Sequence, residues 1–189
     1  MKKTILFLVL YLAPCLCWGQ EVQVYFSPNG GCQHAVIAEI RKATQTIDIA
    51  MYFLSSYQIA RALVKAQENN VRVRIVLDQG QEIESASKSG YLVRHGFKVR
   101  YHMGFGLMHN KFAVIDDRTV ITGSFNWTLS AEERNEENLL VINDPKIAEE
   151  YEGRFDYLWD TSRPDTRNDR GLDAVPGWFC TTFHAFCPK

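Results

Sequence analysis

The sequence predicts a single α/β domain in which helices cover both faces of a mixed β-sheet. Strand-like segments rich in apolar residues alternate with amphipathic, helix-like segments along most of the chain. The 189 residues are enough for one domain with a substantial core. No internal repeat is evident in the sequence, so a repeat architecture is not expected.

Seven segments are predicted to be strands. Residues 46–54 are apolar except for Asp48, and residues 71–77 alternate valine with arginine before an apolar end. The segments 111–115 and 119–122 flank a turn-forming stretch, 116–118, and therefore predict a hairpin. In chain order the predicted strands are 22–26, 46–54, 71–77, 97–101, 111–115, 119–122 and 139–142.

Four segments are predicted to be helices. In the first, the spacing of Val36, Ile37 and Ile40 matches the helical period of 3.6 residues and places the three side chains on one face. Ser55 or Ser56 is suited to cap the second, and Pro145 is suited to the first turn of the last. The predicted helices are 33–44, 55 or 56 to about 69, 82–95 and 145–159.

The first 19 residues are typical of a secretory signal peptide. Lys2 and Lys3 precede an apolar run over residues 5–12, and Gly19 offers a cleavage point before Gln20. The run is short for a membrane span, so an uncleaved anchor is the weaker alternative, as is lipidation at Cys15. We therefore expect a secreted or periplasmic protein with a catalytic domain over residues 20–160.

Residues 161–189 are interpreted as a C-terminal extension closed by a disulfide. Removal of the signal leaves three cysteines, Cys32, Cys180 and Cys187, which predict one disulfide and one free thiol in an oxidising compartment. The spacing leaves the pairing open. Zinc binding by Cys180, His184 and Cys187, with Cys32 or His34 as a fourth ligand, is a weaker alternative.

The overall charge excludes one class of nucleic-acid-binding protein. Loss of Lys2 and Lys3 with the signal leaves 19 basic against 22 acidic side chains, a net charge of −3. That balance differs from the strongly basic composition of a DNA-coating protein. Any contact with nucleic acid therefore has to come from a local basic patch.

Two motifs in residues 109–126 carry the chemistry. The first is H-x-K-x4-D, and the second is G-S-x-N. Side chains two apart on a strand point the same way, so the histidine and lysine are expected to share a face. The residues of the two motifs are His109, Lys111, Asp116, Gly123, Ser124 and Asn126.

An imidazole, an ammonium, a hydroxyl and a carboxamide in one pocket suit a phosphodiester. The imidazole of His109 can act as a nucleophile or carry a proton near neutral pH. Lys111 can neutralise the non-bridging oxygens, while Ser124 and Asn126 add hydrogen bonds. Gly123 is expected to let the backbone approach a ligand closely.

These two motifs resemble those of the phospholipase D superfamily, whose members are also called the HKD phosphodiesterases. The chain is most similar to the branch of that superfamily whose members carry a single motif. That branch includes secreted bacterial endonucleases of the Nuc type and mitochondrial phospholipase D-like proteins. The resemblance runs from about residue 22 to residue 159. It includes segments 25–28, 49–53, 71–78 and 135–138.

The resemblance implies a mechanism and a partner. It implies a homodimer that combines two motifs in one site, with His109 as nucleophile and His109 of the partner subunit as general acid. Lys111 and Asn126 would hold the non-bridging oxygens and Ser124 would help to position them, with no metal or cofactor. Glu137 would orient the imidazole, unless it is a solvated acid, and Asp116 would have a structural role.

The resemblance and the surrounding residues favour a non-specific endonuclease acting on DNA and perhaps RNA. Tyr101, Phe105 and Met108 are candidates to stack on bases, or else pack in the loop. A phospholipase acting on a cardiolipin-like lipid is the alternative, although no stable membrane association is expected, and a non-catalytic nucleic-acid-binding protein is a third. Candidate substrate contacts are Arg72, Arg74, Lys98, Arg100 and His102.

Overall fold

In the computed structural model of the protein, residues 21–167 are described, and they form one mixed sheet covered by helices on both faces. The spatial order of the strands is β1-β7-β6-β5-β2-β3-β4-β8. The strands are β1 (Glu21–Ser27), β2 (Thr46–Met51), β3 (Arg72–Asp78), β4 (Lys98–His102), β5 (Lys111–Ile115), β6 (Thr119–Gly123), β7 (Glu137–Asn143) and β8 (Arg163–Pro164).

Three of the central strands run parallel and the others antiparallel. β2 pairs in parallel with β3, and β3 with β4, whereas β5 pairs with β2 in the antiparallel sense. The predicted hairpin is confirmed as β5 and β6, joined by Asp116 and Asp117, which both have positive φ. The mixed sheet predicted from the sequence is therefore confirmed.

Helices on the two faces of the sheet enclose two separate apolar cores. On one face, Ile40, Leu63 and Leu92 pack with the inward residues of the strands. On the other face, Phe155 and Leu158 pack with residues such as Phe112. The helices are α1 (Cys32–Lys42), α2 (Tyr57–Glu68), α3 (Ser89–Arg94), α4 (Leu129–Glu133) and α5 (Pro145–Thr161).

Four local predictions differ from the structure. The strand predicted over residues 46–54 ends at Met51, because residues 53–56 turn aside to bond with Trp127. The helix predicted over residues 82–95 is only α3, preceded by a 3₁₀ turn, Gln79–Glu82. The short elements α4 and β8 were not predicted.

The end of the described chain continues the sheet beyond residue 160, where the predicted extension begins. β8 pairs antiparallel with β4, and Arg167 donates to the Tyr101 hydroxyl. Cys32 is buried at the start of α1. The residues predicted to form a signal peptide lie outside the described residues, as do Cys180, His184 and Cys187. Within residues 21–167, no helix has the length and apolar character needed to cross a membrane.

Candidate active site

His109 and Lys111 lie side by side at one end of the sheet. The Lys111 Nζ atom is 3.1 Å from His109 Nδ1 and 3.3 Å from Nε2, and it donates to the His109 carbonyl oxygen at 2.9 Å. The Tyr52 ring packs beside the imidazole, with ring centroids 4.4 Å apart. The histidine is exposed, so a substrate can reach it.

Strand pairing positions the two residues. Lys111 begins β5 opposite Met51, the last residue of β2, and the Tyr52 amide donates to the Asn110 carbonyl at 2.8 Å. On the other side of His109, the Met108 amide donates to Asp78 at the end of β3, at 2.9 Å. Both flanks of the histidine are thus attached to central strands.

The alternation of side chains along β5 agrees with the sequence prediction. Phe112 and Val114 are buried in the core beneath α5. Ala113 and Ile115 lie in the opposite core with α1 and α2, so Lys111 belongs to that face of the sheet. Lys111 is therefore at one end of the line of side chains on that face of β5, and the other two, Ala113 and Ile115, are buried.

Partial burial lowers the pKa of Lys111 below the ordinary value for a lysine, and the negative charge of Glu137 opposes this shift. The Glu137 carboxylate therefore lies within electrostatic range of the Lys111 ammonium. Lys111 thus supplies a partly desolvated positive charge in contact with the imidazole. Such a charge stabilises phosphoryl oxygens more strongly than one in bulk water does.

Ser124 and Glu137 form a second polar group beside the first. The Ser124 hydroxyl donates to Glu137 at 2.5 Å and accepts from the Asn138 amide at 3.1 Å. The Asn135 side chain donates to the other oxygen of Glu137 at 3.1 Å. Glu137 is therefore engaged in hydrogen bonds.

The predicted contact between Glu137 and the His109 ring is not made in this structure. The two oxygens of the carboxylate are directed to Ser124 and Asn135, and the ring nitrogens of His109 lie against Lys111. The carboxylate thus acts on the site through Ser124 and through its charge on Lys111. An orienting role for Glu137 toward the imidazole stays a prediction.

Gly123 is required by the neighbouring strand, which differs from the reason we predicted. Its φ is +142°, and a Cβ atom there would lie 2.3 Å from the Asn138 carbonyl oxygen. The close approach that this structure shows is between β6 and β7, and the approach of a ligand to the backbone stays a prediction. The approach of β6 to β7 allows the Ser124 amide to bond to the same carbonyl at 3.1 Å.

Asn126 is held next to the end of β2. The Trp127 amide donates to the Phe53 carbonyl, and the Trp127 carbonyl accepts from Ser55 and Ser56. The Asn126 Oδ1 atom is buried and has no hydrogen-bond partner among the described residues. An unpartnered buried amide oxygen is costly, and a donor from a bound ligand or solvent would relieve that cost.

Asp116 has the structural role predicted for it. Its carboxylate accepts hydrogen bonds from the backbone amides of Thr44, Gln45 and Thr46 and from the Thr44 hydroxyl, at 2.8 to 2.9 Å. Partial burial would raise its pKa, but these donors outweigh burial and hold the pKa below the ordinary value. Asp116 connects the hairpin to the start of β2, at the opposite end of β5 from Lys111.

Two of the predicted substrate contacts are structural. Arg74 makes ion pairs with Asp48, Glu152 and Asp156 and is packed against α5. Arg100 lies over the Trp159 ring at 4.3 Å and donates to the Trp159 carbonyl. The structure therefore gives both arginines packing roles, and their assignment to substrate binding stays a prediction that these contacts do not support.

The other predicted contacts are not part of the site in this structure either, with one exception. Arg72 pairs with Asp48 at 3.4 Å, and Lys98 is exposed opposite Arg74 in the sheet register. Asp48 lies three residues before the end of β2 and is paired with Arg74 of β3, so both lie roughly 10 Å along the sheet from Lys111, which pairs with the last residue of β2. His102 lies opposite Asp78 at the same end of the sheet as the site, and its Nδ1 atom is buried without a partner among the described residues.

Sequence reasoning did not identify three residues that build the site. These are Tyr52 beside the imidazole, Asp78 beneath the loop that precedes it, and Asn135 beside Glu137. Tyr52 lies near the end of the predicted strand 46–54 and Asp78 directly follows the predicted strand 71–77, and that placement was an available signal. Within residues 21–167, no group of three His, Cys, Asp or Glu side chains is arranged to hold a metal ion.

A mixed α/β sheet carrying His109, Lys111 and Asn126 at one end has the features of a phosphodiesterase. A family model described as "Cardiolipin synthase, PLD-like domain" matches residues 36–159, which include all three residues. The chain therefore belongs to the phospholipase D superfamily of phosphodiesterases.

Individual relatives agree with this family. The chain is 40% identical to a phospholipase D from Rickettsia prowazekii over 69% of its own length, and 35% identical to a mitochondrial cardiolipin hydrolase from Xenopus laevis over 70%. It spans 64% and 63% of those two proteins, which is less than two thirds of either.

Solved structures show the same fold. The crystal structure of Nuc from Salmonella typhimurium, a phospholipase D family member, is 35% identical with a TM-score of 0.74, covering 78% of this chain and 99% of that one. NucT from Helicobacter pylori has a TM-score of 0.75 at 24% identity, a likeness that concerns the fold alone.

Proposed function

We propose that this protein is a metal-independent endonuclease that cleaves DNA with little sequence preference. RNA is a second candidate substrate. The observation that carries the proposal is an exposed His109 whose ring is contacted by the partly desolvated ammonium of Lys111. A nucleophile and a positive charge in contact are what attack on a phosphodiester anion requires.

The proposed reaction has two steps. A ring nitrogen of His109 attacks phosphorus and forms an N–P bond, while the P–O bond to the leaving oxygen breaks and that oxygen takes a proton from His109 of the partner subunit. A water molecule then attacks phosphorus, gives its proton to His109 of the partner subunit, and the N–P bond breaks. Two easier steps replace one difficult displacement.

The second histidine requires a second copy of the chain. Residues 21–167 contain one histidine followed two residues later by a lysine, so a twofold axis beside His109 would bring two equivalent motifs together. Both copies of Lys111 and Asn126 would then hold the non-bridging oxygens. We propose a homodimer with one shared site, exported to the periplasm or the cell exterior.

Two features favour nucleic acid as the substrate. The match to Nuc covers nearly the whole of that structure, whereas the chain spans less than two thirds of the relatives named for lipid substrates. Of the predicted stacking residues, Tyr101 and Met108 are buried, while Phe105 is fully exposed in the loop that leads to His109. An exposed aromatic ring beside a phosphodiester site can stack on a base.

Lipid hydrolysis is the second candidate, and the same loop supports it. Met103, Phe105 and Leu107 are all more than half exposed and lie immediately before His109. An apolar loop beside a phosphodiesterase site can also enter the boundary of a lipid bilayer. The relatives named phospholipase D and cardiolipin hydrolase agree with this alternative.

Cleavage of plasmid DNA by the purified mature protein in excess EDTA tests the proposal, with His109→Ala as the matched control. We expect cutting by the wild type and a loss of at least about a thousandfold in the variant. Loss of cutting in EDTA would contradict the metal-independent mechanism, and cutting by His109→Ala would contradict the assignment of the nucleophile.

A parallel assay on cardiolipin vesicles separates the candidates. Release of the lipid product without cutting of nucleic acid would favour the lipid hydrolase. Binding of DNA without cleavage of either substrate would favour a non-catalytic nucleic-acid-binding protein.

A further inference from the structure

The two helical faces of the molecule carry opposite charge. On one face, α1, α2, α3 and α4 together carry five basic and four acidic side chains, a net charge of +1 without histidine, whereas on the other face α5 carries two basic and five acidic side chains, a net charge of −3. A polyanion is therefore attracted to one face of this slightly acidic protein and repelled by the other.

A groove of about 650 Å³ runs along the basic face. Arg41 of α1 and Arg61 and Lys65 of α2 line it, and Glu68, the one acid in its wall among residues 21–167, is paired with Lys65 at 3.2 Å. Arg41 and Arg61 make no ion pair with the residues that the structure describes. Two unpaired guanidinium groups thus face one open groove.

Aromatic rings continue the wall of the groove. The Tyr57 and Tyr91 rings meet edge to face at 5.5 Å, and the His95 ring lies 4.2 Å from that of Tyr91. The Arg61 guanidinium is 5.9 Å from the centre of the Tyr57 ring, which is itself half exposed. Cations alternating with open aromatic rings are the arrangement that binds single-stranded nucleic acid.

The groove begins at the catalytic end of the sheet. Tyr52, which contacts His109, is followed five residues later by Tyr57 at the start of α2. From there the groove follows the 12 residues of α2 to Glu68, a length of about 18 Å at 1.5 Å per residue. A short run of nucleotides of a single strand can therefore lie along it.

We propose that this groove, lined by Tyr57, Arg61, Arg41 and Tyr91, is an exosite that binds the single-stranded segment of a nucleic-acid substrate beside the bond being cut. The proposal rests on the endonuclease function. The exosite holds phosphates with Arg41 and Arg61 and stacks bases on Tyr57 and Tyr91. It increases the affinity for long substrates and leaves the chemistry at His109 unchanged.

The test compares a long and a minimal substrate. Arg41→Gln/Arg61→Gln is assayed on a 20-nucleotide single strand and on bis(p-nitrophenyl) phosphate, which is too small to reach the groove. We expect kcat/KM for the 20-mer to fall about tenfold at low salt. The slope of log(kcat/KM) against log salt concentration should become shallower by about 1.4, which is 0.7 for each lost phosphate contact. Hydrolysis of the minimal substrate should stay within about twofold of the wild type.

Two further variants complete the design. Lys146→Gln/Arg154→Gln removes the same charge from the acidic face, on α5, and should change neither activity by more than about twofold. Tyr57→Ala leaves the charge unaltered and should reduce cleavage of the 20-mer at least about fivefold through lost stacking.

The outcomes separate this proposal from the endonuclease function. Equal activity of the Arg41→Gln/Arg61→Gln variant and the wild type on the 20-mer would overturn the exosite. Equal loss on both substrates would also overturn it, because it would mean damage to folding or to the dimer. If the wild type hydrolyses bis(p-nitrophenyl) phosphate but cuts no nucleic acid, the endonuclease function is contradicted and the exosite falls with it.

Discussion

At the scale of single residues, the site depends on the environment of Lys111. Its ammonium contacts the imidazole of His109 while partial burial lowers its pKa, and the charge of Glu137 opposes that effect. Glu137 itself bonds to Ser124 and not to His109. The carboxylate therefore opposes the lowering of the Lys111 pKa that desolvation causes.

We predict that Glu137→Gln lowers the pKa of Lys111 further, because the variant removes the opposing negative charge. Nuclear magnetic resonance of the labelled Lys111 side chain across an alkaline titration measures this directly. Glu149→Gln, which removes an exposed acid from α5, is the control and should leave the lysine unchanged. A pKa of Lys111 that rises or stays constant in Glu137→Gln would contradict the arrangement described here.

The motif residues were identifiable from sequence, but their surroundings were not. Spacing alone placed His109 and Lys111 on one face and assigned Asp116 a structural role. Tyr52 and Asp78 reach the site only through pairing between strands distant in sequence, which local patterns do not reveal. The ion pairs of Arg74 were not predicted, because its three acidic partners, Asp48, Glu152 and Asp156, come from two other elements.

At the scale of elements, long periodic segments were predicted well and short ones poorly. α2 and α5 each carry an apolar face and a side-chain cap, from Ser56 and Asp144 respectively. The predicted helix over residues 82–95 is interrupted because other groups engage its backbone amides: the Glu84 side chain accepts from the Ala86 amide, and the Leu54 carbonyl accepts from the Lys88 amide. α4 and β8, of five and two residues, are too short to produce a recognisable period.

The contact between α5 and the strands β2 and β3 contains a group that titrates near neutrality. Glu152 of α5 shares Arg74 with Asp48 and Asp156, and its second oxygen is buried without a partner among the described residues. Burial, followed by the charges of Asp48 and Asp156, raises the pKa of Glu152 to about 8, although Arg74 opposes the shift. The folded protein therefore holds this proton more tightly than the unfolded chain does.

We predict that the free energy of unfolding falls as pH rises through the range from 4.5 to about 8. Because the folded pKa is raised, the contribution is fully present below the unfolded pKa and is lost as pH rises through the folded value. Its size is about 2 kcal/mol after allowance for partial exposure of the side chain.

Glu152→Gln should remove this slope and be more stable than the wild type at pH 9. Urea denaturation at a series of pH values measures the effect, with exposed Glu150→Gln as a control that keeps the slope. A wild-type stability that is independent of pH between 5 and 9 would contradict the account.

A prediction for Asp116 also belongs to the scale of elements. Asp116→Ala removes the acceptor for four hydrogen bonds that join the hairpin of β5 and β6 to residues 44–46. We expect the free energy of unfolding to fall by about 2 to 3 kcal/mol, with activity per folded molecule retained. Thermal denaturation and assay at low temperature test this, and Asp117→Ala at the exposed neighbouring position is the control. Loss of activity without loss of stability would place Asp116 in the chemistry.

At the scale of the whole molecule, the proposed two-histidine mechanism requires two copies of the chain. A shared site that needs both histidines is inactive when either is missing. If wild-type and His109→Ala subunits are mixed in equal amounts and exchange freely, about a quarter of the dimers have two intact histidines. Activity should then be about 25% of that of the same total amount of wild type.

Independent sites would give about half the activity in the same mixture. Mixing with Lys146→Gln subunits controls for damage caused by exchange and should leave activity unchanged. Sedimentation as a monomer at the working concentration would contradict the dimer.

The stereochemistry of cleavage distinguishes a covalent bond between His109 and phosphorus from direct attack by water. A phosphorothioate substrate of known configuration is cleaved in water labelled with oxygen-18, and the configuration of the product is determined. Two in-line displacements, first by His109 and then by water, each invert phosphorus, so the account predicts net retention. Net inversion would mean direct attack by water and would contradict the covalent role of His109.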